Sequence, residues 1–152
     1  MGQVITLYEL EEKINQFKAE SKRVVFTNGC FDLLHIGHIR YLREAKKLGD
    51  ILIIGLNSDA SVRSIKPHRP IIPEFQRAEV LSALEMVDYV VIFNEDTPYE
   101  LIKKVKPDIL VKGGDWKKKD IVGSDLVPEV YSLPFTEGIS TTSIVQKIID
   151  IS

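Results

Sequence analysis

Among 152 residues there is one cysteine, Cys30, one tryptophan and only three histidines. A single thiol excludes an internal disulfide and a cysteine-rich zinc site. No apolar run approaches the roughly 18 residues of a membrane span, and the start "MGQVITLYELEEK" is polar and acidic. A cytoplasmic protein without a membrane partner is expected. Lys and Arg number 20 against 22 Asp and Glu, a net charge of −2, so no global basic field exists to coat a nucleic acid. Internal repeats, low-complexity segments and linkers are also missing. The length suits a single domain, 1–152, that buries roughly 70% of its unfolded surface.

What is present is an alternation of apolar patterns. Thr6 and Glu9 have capping-box spacing, and Leu7, Leu10, Ile14 and Phe17 follow at helical period, so residues 1–21 read as an N-terminal helix packed on a core of 22–152. Compact apolar runs at 22–28, 50–57, 88–93, 108–114 and 130–135 read as five strands. Helical patterns occupy 37–49, 73–86, 97–106 and 140–151, with loops at 58–73 and 115–129. Strands apolar on both faces, alternating with helices, predict an α/β Rossmann-like three-layer sandwich around a five-stranded, mainly parallel sheet.

In such a sheet ligands bind beyond the carboxyl ends of the strands. Four segments of unusual chemistry fall there: "TNGCFDLLHIGH" (27–38), "NSDASVRSIKPHR" (57–69), "KGGDWKK" (112–118) and "TEGISTT" (136–142). The first and last place small or hydroxyl residues at a helix start, where free N–H groups and the positive dipole end favour an anion. Gly37 lets a phosphate approach the backbone, His35 and His38 supply donors, and Ser140, Thr141 and Thr142 add hydroxyls. Simple helix capping is the competing reading of the serine–threonine run. Thr27 and Asn28, ending the first strand, are placed for phosphoryl oxygens. Zinc is disfavoured because the only other histidine, His68, lies in a loop. Cys30 reads as a spacer rather than a nucleophile. No GxGxxG fingerprint is present, which disfavours hydride transfer.

"NGCFDLLHIGH" resembles the GxFDxxHxGH signature of the cytidylyltransferase-like nucleotidyltransferases, and "TEGISTT" resembles their second signature. Within that superfamily, residues 22–147 are similar to the adenylyltransferase part of ADP-heptose synthases, through "RPIIPEFQRAEVLSALEMVDYVV", "EDTPYELI" and "PDILVKGGDW". The resemblance implies transfer of AMP from ATP to a heptose 1-phosphate with Mg²⁺ assisting, a homo-oligomer, and a separate sugar kinase, since no kinase segment is found in these residues. It implies catalytic roles for His35 and His38 on the triphosphate and for Lys66 in the basic loop. It further implies nucleotide contacts from Thr27, Asn28, Gly29, Cys30, Phe31, Gly37, Asp115, Gly138, Ser140, Thr141 and Thr142.

Asp32, Arg63 and Arg77 are assigned to the substrate. For Asp32 the alternative is a turn cap, for Arg77 a brace on the loop, and for Asp115 a turn aspartate. Arg69 is a second candidate in the basic loop, and Trp116 either walls the nucleotide pocket or covers the loop. Glycerol-3-phosphate cytidylyltransferases are similar in the same regions, but their second motif begins with arginine where Phe135 stands. Their GDDW is GGDW here, at Gly113–Trp116. Both differences favour the heptose branch. A polyol-phosphate cytidylyltransferase and a non-catalytic nucleotide-binding regulator are the alternatives.

Overall fold

The computed structural model describes residues 2–152. Its centre is a six-stranded sheet, every pair of which is parallel: β1 (Gln3–Val4), β2 (Val24–Gly29), β3 (Ile51–Asn57), β4 (Tyr89–Phe93), β5 (Ile109–Gly113) and β6 (Glu129–Leu133). The spatial order is β1-β4-β3-β2-β5-β6. Five α-helices lie between them, α1 (Leu7–Ala19), α2 (Ile36–Lys46), α3 (Asp59–Ile65), α4 (Glu74–Ser82) and α5 (Tyr99–Val105), and α6 (Thr141–Ile151) follows the last strand. No helix among the described residues is long and apolar enough to cross a membrane.

Strand alternation builds two cores. Val24, Phe26, Ile53, Val91 and Leu110 pack with Leu10, Ile14 and Phe17 of α1 and with Leu101, Ile102 and Val105 of α5. Val25, Leu52, Ile54, Val90 and Val111 face the other way, onto Leu42 and Ala45 of α2 and Ala78 and Leu81 of α4. Each fully buried Leu or Ile contributes roughly 1.5–3 kcal/mol through removal of apolar area from water. The Rossmann-like class therefore follows from the apolar runs.

Two expectations need correction. The sheet has six strands rather than five, because β1 joins the edge beside β4 with Gln3 opposite Tyr89. It spans two exposed residues, too few for any hydropathy period to register. The supposed loop after β3 opens with helix α3, which is held by polar contacts rather than an apolar stripe. Ser58 Oγ accepts from Ser61 N–H at 3.1 Å, Asn57 Nδ2 donates to Ser61 Oγ at 2.9 Å, and only Ser61 and Val62 are buried. The segment expected as a loop is irregular over 115–128 apart from a short 3₁₀ turn at Lys118–Asp120, and Glu129 already belongs to β6.

Starting from β2, the chain first builds outward through β3 and β4, then returns to add β5 on the opposite side of β2. The carboxyl ends of β2 and β5 thus flank the topological switch point, where an open parallel sheet leaves a crevice.

Candidate active site

A cavity of about 690 Å³ opens at that switch point. Its floor is set by Tyr41 of α2. The phenol O–H donates to the Val111 carbonyl at 3.1 Å, leaving its oxygen to accept from Thr27, whose Oγ1 lies 2.6 Å away. Burial pushes the Tyr41 phenol far up, so it stays neutral. Thr27 is fully buried beneath the floor and does not reach the cavity, whereas Asn28, Gly29, Cys30 and Phe31 line it. The glycine at 29 is required because a Cβ there would lie 2.9 Å from the Phe31 ring. Phe31 takes a left-handed φ of 43° and sets its ring 5.5 Å from that of His38.

The two histidines form the start of α2 as a reciprocal pair. His35 Nδ1 accepts from Gly37 N–H at 3.1 Å, and His38 Nδ1 accepts from His35 N–H at 3.2 Å. With both Nδ1 atoms accepting, the neutral rings carry their proton on Nε2, which is left to donate to a ligand. The ring centroids are 3.9 Å apart. His38 is pulled down to about 4 by burial first, then by His35 and Lys66, and His35 is lowered by burial. Both are uncharged donors at neutral pH in the unliganded protein. Gly37 lines the cavity, and the atoms nearest a Cβ there would be His35 Cε1 and Nδ1, both at 2.9 Å. The glycine seats an imidazole.

Helix α6 supplies the facing wall. Ser140, Thr141 and Thr142 line the cavity, together with Thr136 and Ile139. Ser140 acts as cap, its Oγ accepting from Ser143 N–H at 3.0 Å. Thr141 Oγ1 donates to the Leu33 carbonyl at 3.0 Å, tying α6 to the histidine loop. Gly138, at φ 73°, turns the chain into the helix without lining the cavity.

Asp32 also lines the cavity, but both its oxygens are engaged: Oδ2 accepts from Ile71 N–H at 2.8 Å and Oδ1 from Ile72 N–H at 2.9 Å. It clamps the segment that follows the basic loop. Lys66, at the end of α3, and Arg69 line the cavity, whereas Arg63 is exposed on α3 away from it.

Arg77 is 1% exposed and directs its donors inward, to the carbonyls of Ile72, Cys30 and Asn57 and to Asp59 Oδ1, at 2.7–2.9 Å. It braces the loops and is not placed to touch a substrate in the cavity. Asp115 is exposed and outside the lining. Its neighbour Trp116 does line the cavity, with Nε1 donating to the Gly113 carbonyl at 3.1 Å.

Sequence reasoning overlooked Lys112 and Phe135 as lining residues. The Phe135 ring lies against Gly113 and Gly114, where an added Cβ would come within 3.0 Å of it at either position. Lys112 was legible as the one charge closing an otherwise apolar strand. The cavity thus gathers Lys66, Arg69 and Lys112 against one already engaged carboxylate, a positive site on a chain of net charge −2. Such a concave, cationic space fed by two helix starts suits a polyphosphate. Among the described residues no group of three His, Cys, Asp or Glu converges to hold a metal ion.

Comparison with known proteins agrees with this geometry. The family model for cytidylyltransferase-like proteins matches residues 26–147. The chain is 61% identical over 141 residues to the bifunctional protein HldE of a Nitratiruptor species, covering 92% of this chain and 30% of that protein. It is 54% identical over 146 residues to the bifunctional protein HldE of Wolinella succinogenes, covering 95% and 31%. The chain therefore spans about a third of the length of these curated relatives. A solved structure of a lipopolysaccharide core biosynthesis protein from Thermoplasma volcanium superposes with a TM-score of 0.67 at 31% identity, over 76% of this chain and 99% of that one. The chain belongs to the cytidylyltransferase-like family of nucleotidyltransferases.

Proposed function

We propose that this chain transfers the adenylyl group of ATP to a heptose 1-phosphate, releasing pyrophosphate. The observation that carries the reading is the positive cavity between the starts of α2 and α6, with two imidazole Nε2–H donors turned free by their Nδ1 contacts. An oxygen of the sugar phosphate attacks the α-phosphorus, the bond from that phosphorus to the bridging α–β oxygen breaks, and pyrophosphate leaves with the electron pair. The sugar phosphate is already anionic at neutral pH, so no general base is needed. The protein supplies in-line positioning and charge neutralisation.

In this reading His35 and His38 donate to the ATP phosphates, with the α6 amides and Thr142 on the other side, and Lys66 and Arg69 close from the basic loop. When bound with ATP, Mg²⁺ would supply further neutralisation of the triphosphate charge. Support for the heptose branch comes from the identity to HldE proteins and from Phe135, which packs on Gly113 and Gly114 where the glycerol branch carries an arginine. Those relatives are named bifunctional and are about three times as long, which supports a sugar kinase activity outside these 152 residues. A cytoplasmic homo-oligomer completes the proposal and rests on family resemblance alone.

Pyrophosphate release from ATP and from CTP, with heptose 1-phosphate and glycerol 3-phosphate as acceptors, tests the reading. Release with ATP and heptose 1-phosphate is expected. Release confined to CTP and glycerol 3-phosphate moves the chain to the sister branch, and no release with any acceptor favours a nucleotide-binding regulator.

A further inference from the structure

Lys112 ends strand β5 at the switch point, half-buried, and forms neither an ion pair nor a side-chain hydrogen bond among the described residues. Its Nζ sits 5.7 Å from the centroid of the Trp116 ring, which fixes the ammonium at the cavity wall. Burial makes protonation harder; the Cys30 sulfur acts in the opposite direction, and the like charge of Lys66 adds a smaller push the same way as burial. An ammonium held in a half-dry wall without a counter-ion is costly until an anion arrives.

The sheet decides which anion. Leu110, two residues earlier, points into the core shared with α1 and α5, so Lys112 rises from that side. The histidines come from α2, which packs on the other face through Leu42 and Ala45. In-line displacement puts the entering oxygen and the leaving pyrophosphate on opposite sides of the α-phosphorus. If the imidazoles hold the leaving side, the entering phosphate lies on the side of Lys112.

We propose that Lys112 Nζ binds the phosphate of the acceptor substrate, holding it against the α-phosphorus from the sheet face opposite the two imidazoles. This rests on the adenylyl-transfer reading of the same cavity. It makes Lys112 a substrate-binding residue distinct from the lysine of the basic loop.

Calorimetric titration separates the two substrates without turnover. The protein is first titrated with α,β-methylene-ATP, and the loaded protein then receives heptose 1-phosphate or, as a generic probe, inorganic phosphate. For K112M, acceptor affinity is expected to fall at least tenfold while nucleotide affinity stays within twofold of wild type, with K112R recovering most of the loss. K112Q replaces K112M if the methionine variant does not fold.

An unchanged acceptor affinity, or a nucleotide affinity that falls as far as the acceptor's, overturns the assignment. If wild type ignores heptose 1-phosphate yet binds inorganic phosphate in a Lys112-dependent way, the heptose reading fails and the lysine assignment stands. If heptose 1-phosphate binds regardless of Lys112, only the lysine assignment falls. Binding of neither probe refutes both.

Discussion

Replacing Gly37 by alanine separates two reasons for a glycine between the histidines. The added methyl would lie 2.9 Å from His35 Cε1 and Nδ1, so the ring must retreat to reach ordinary contact near 3.4 Å. That retreat breaks the 3.1 Å bond from Gly37 N–H to Nδ1, a loss of about 1 kcal/mol. Alanine returns roughly 0.5–1 kcal/mol in an α-helix, so the stability should scarcely change.

Activity should suffer more. A displacement of about 1 Å in a positioned group costs roughly a hundredfold, and a few tenths of an ångström should cost about tenfold in kcat/KM. The assay is a double-mutant cycle of G37A and H35A, read by pyrophosphate release and by urea unfolding. If the glycine seats the ring, G37A is nearly silent once His35 is alanine, a coupling of about 1.4 kcal/mol by the tenfold rule. Fully additive losses would refute this account and return Gly37 to direct phosphate approach.

Other residues give further tests. R77M should destabilise the fold by about 3 kcal/mol, because three carbonyls and Asp59 lose their partner and a buried network is broken; a urea-unfolding loss below about 1 kcal/mol would contradict the bracing role. D32N should leave the fold intact, speed hydrogen exchange at the Ile71 and Ile72 amides, and raise KM through the loosened basic loop; unchanged exchange would remove the clamp. For His38, the folded value near 4 lies below the ordinary 6.5, so its contribution is complete above pH 6.5 and is lost as pH falls toward 4. The full shift corresponds to about 3 kcal/mol, and solvent screening of a half-buried ring reduces this to about 1–2 kcal/mol. Unfolding of wild type against H38Q across pH 7 to 4 should show that difference, and parallel curves would contradict it.

The apolar alternation carried the sheet, its connectivity class and the placement of both motifs, because buried parallel strands leave continuous hydrophobic runs. Strand β1 was illegible since two exposed edge residues have no period. Helix α3 was hidden because Ser58, Asn57 and Ser61 build it through polar contacts, while its basic end reads as loop. At the site, the histidine pair and the α6 start were readable from spacing. The direction of a side chain was not: Arg77 turns inward, Thr27 lies under the floor, and Asp32 is occupied by backbone amides. Phe135 became visible as a lining residue only when β5 and the approach to α6 met over two glycines.

Mass-spectrometric detection of the product from ATP, Mg²⁺ and heptose 1-phosphate addresses the central claim most directly. The account predicts ADP-heptose with one pyrophosphate per product, and loss of both by orders of magnitude in H38A. Nucleotide bound without any sugar nucleotide formed, or H38A turning over at the wild-type rate, would contradict it.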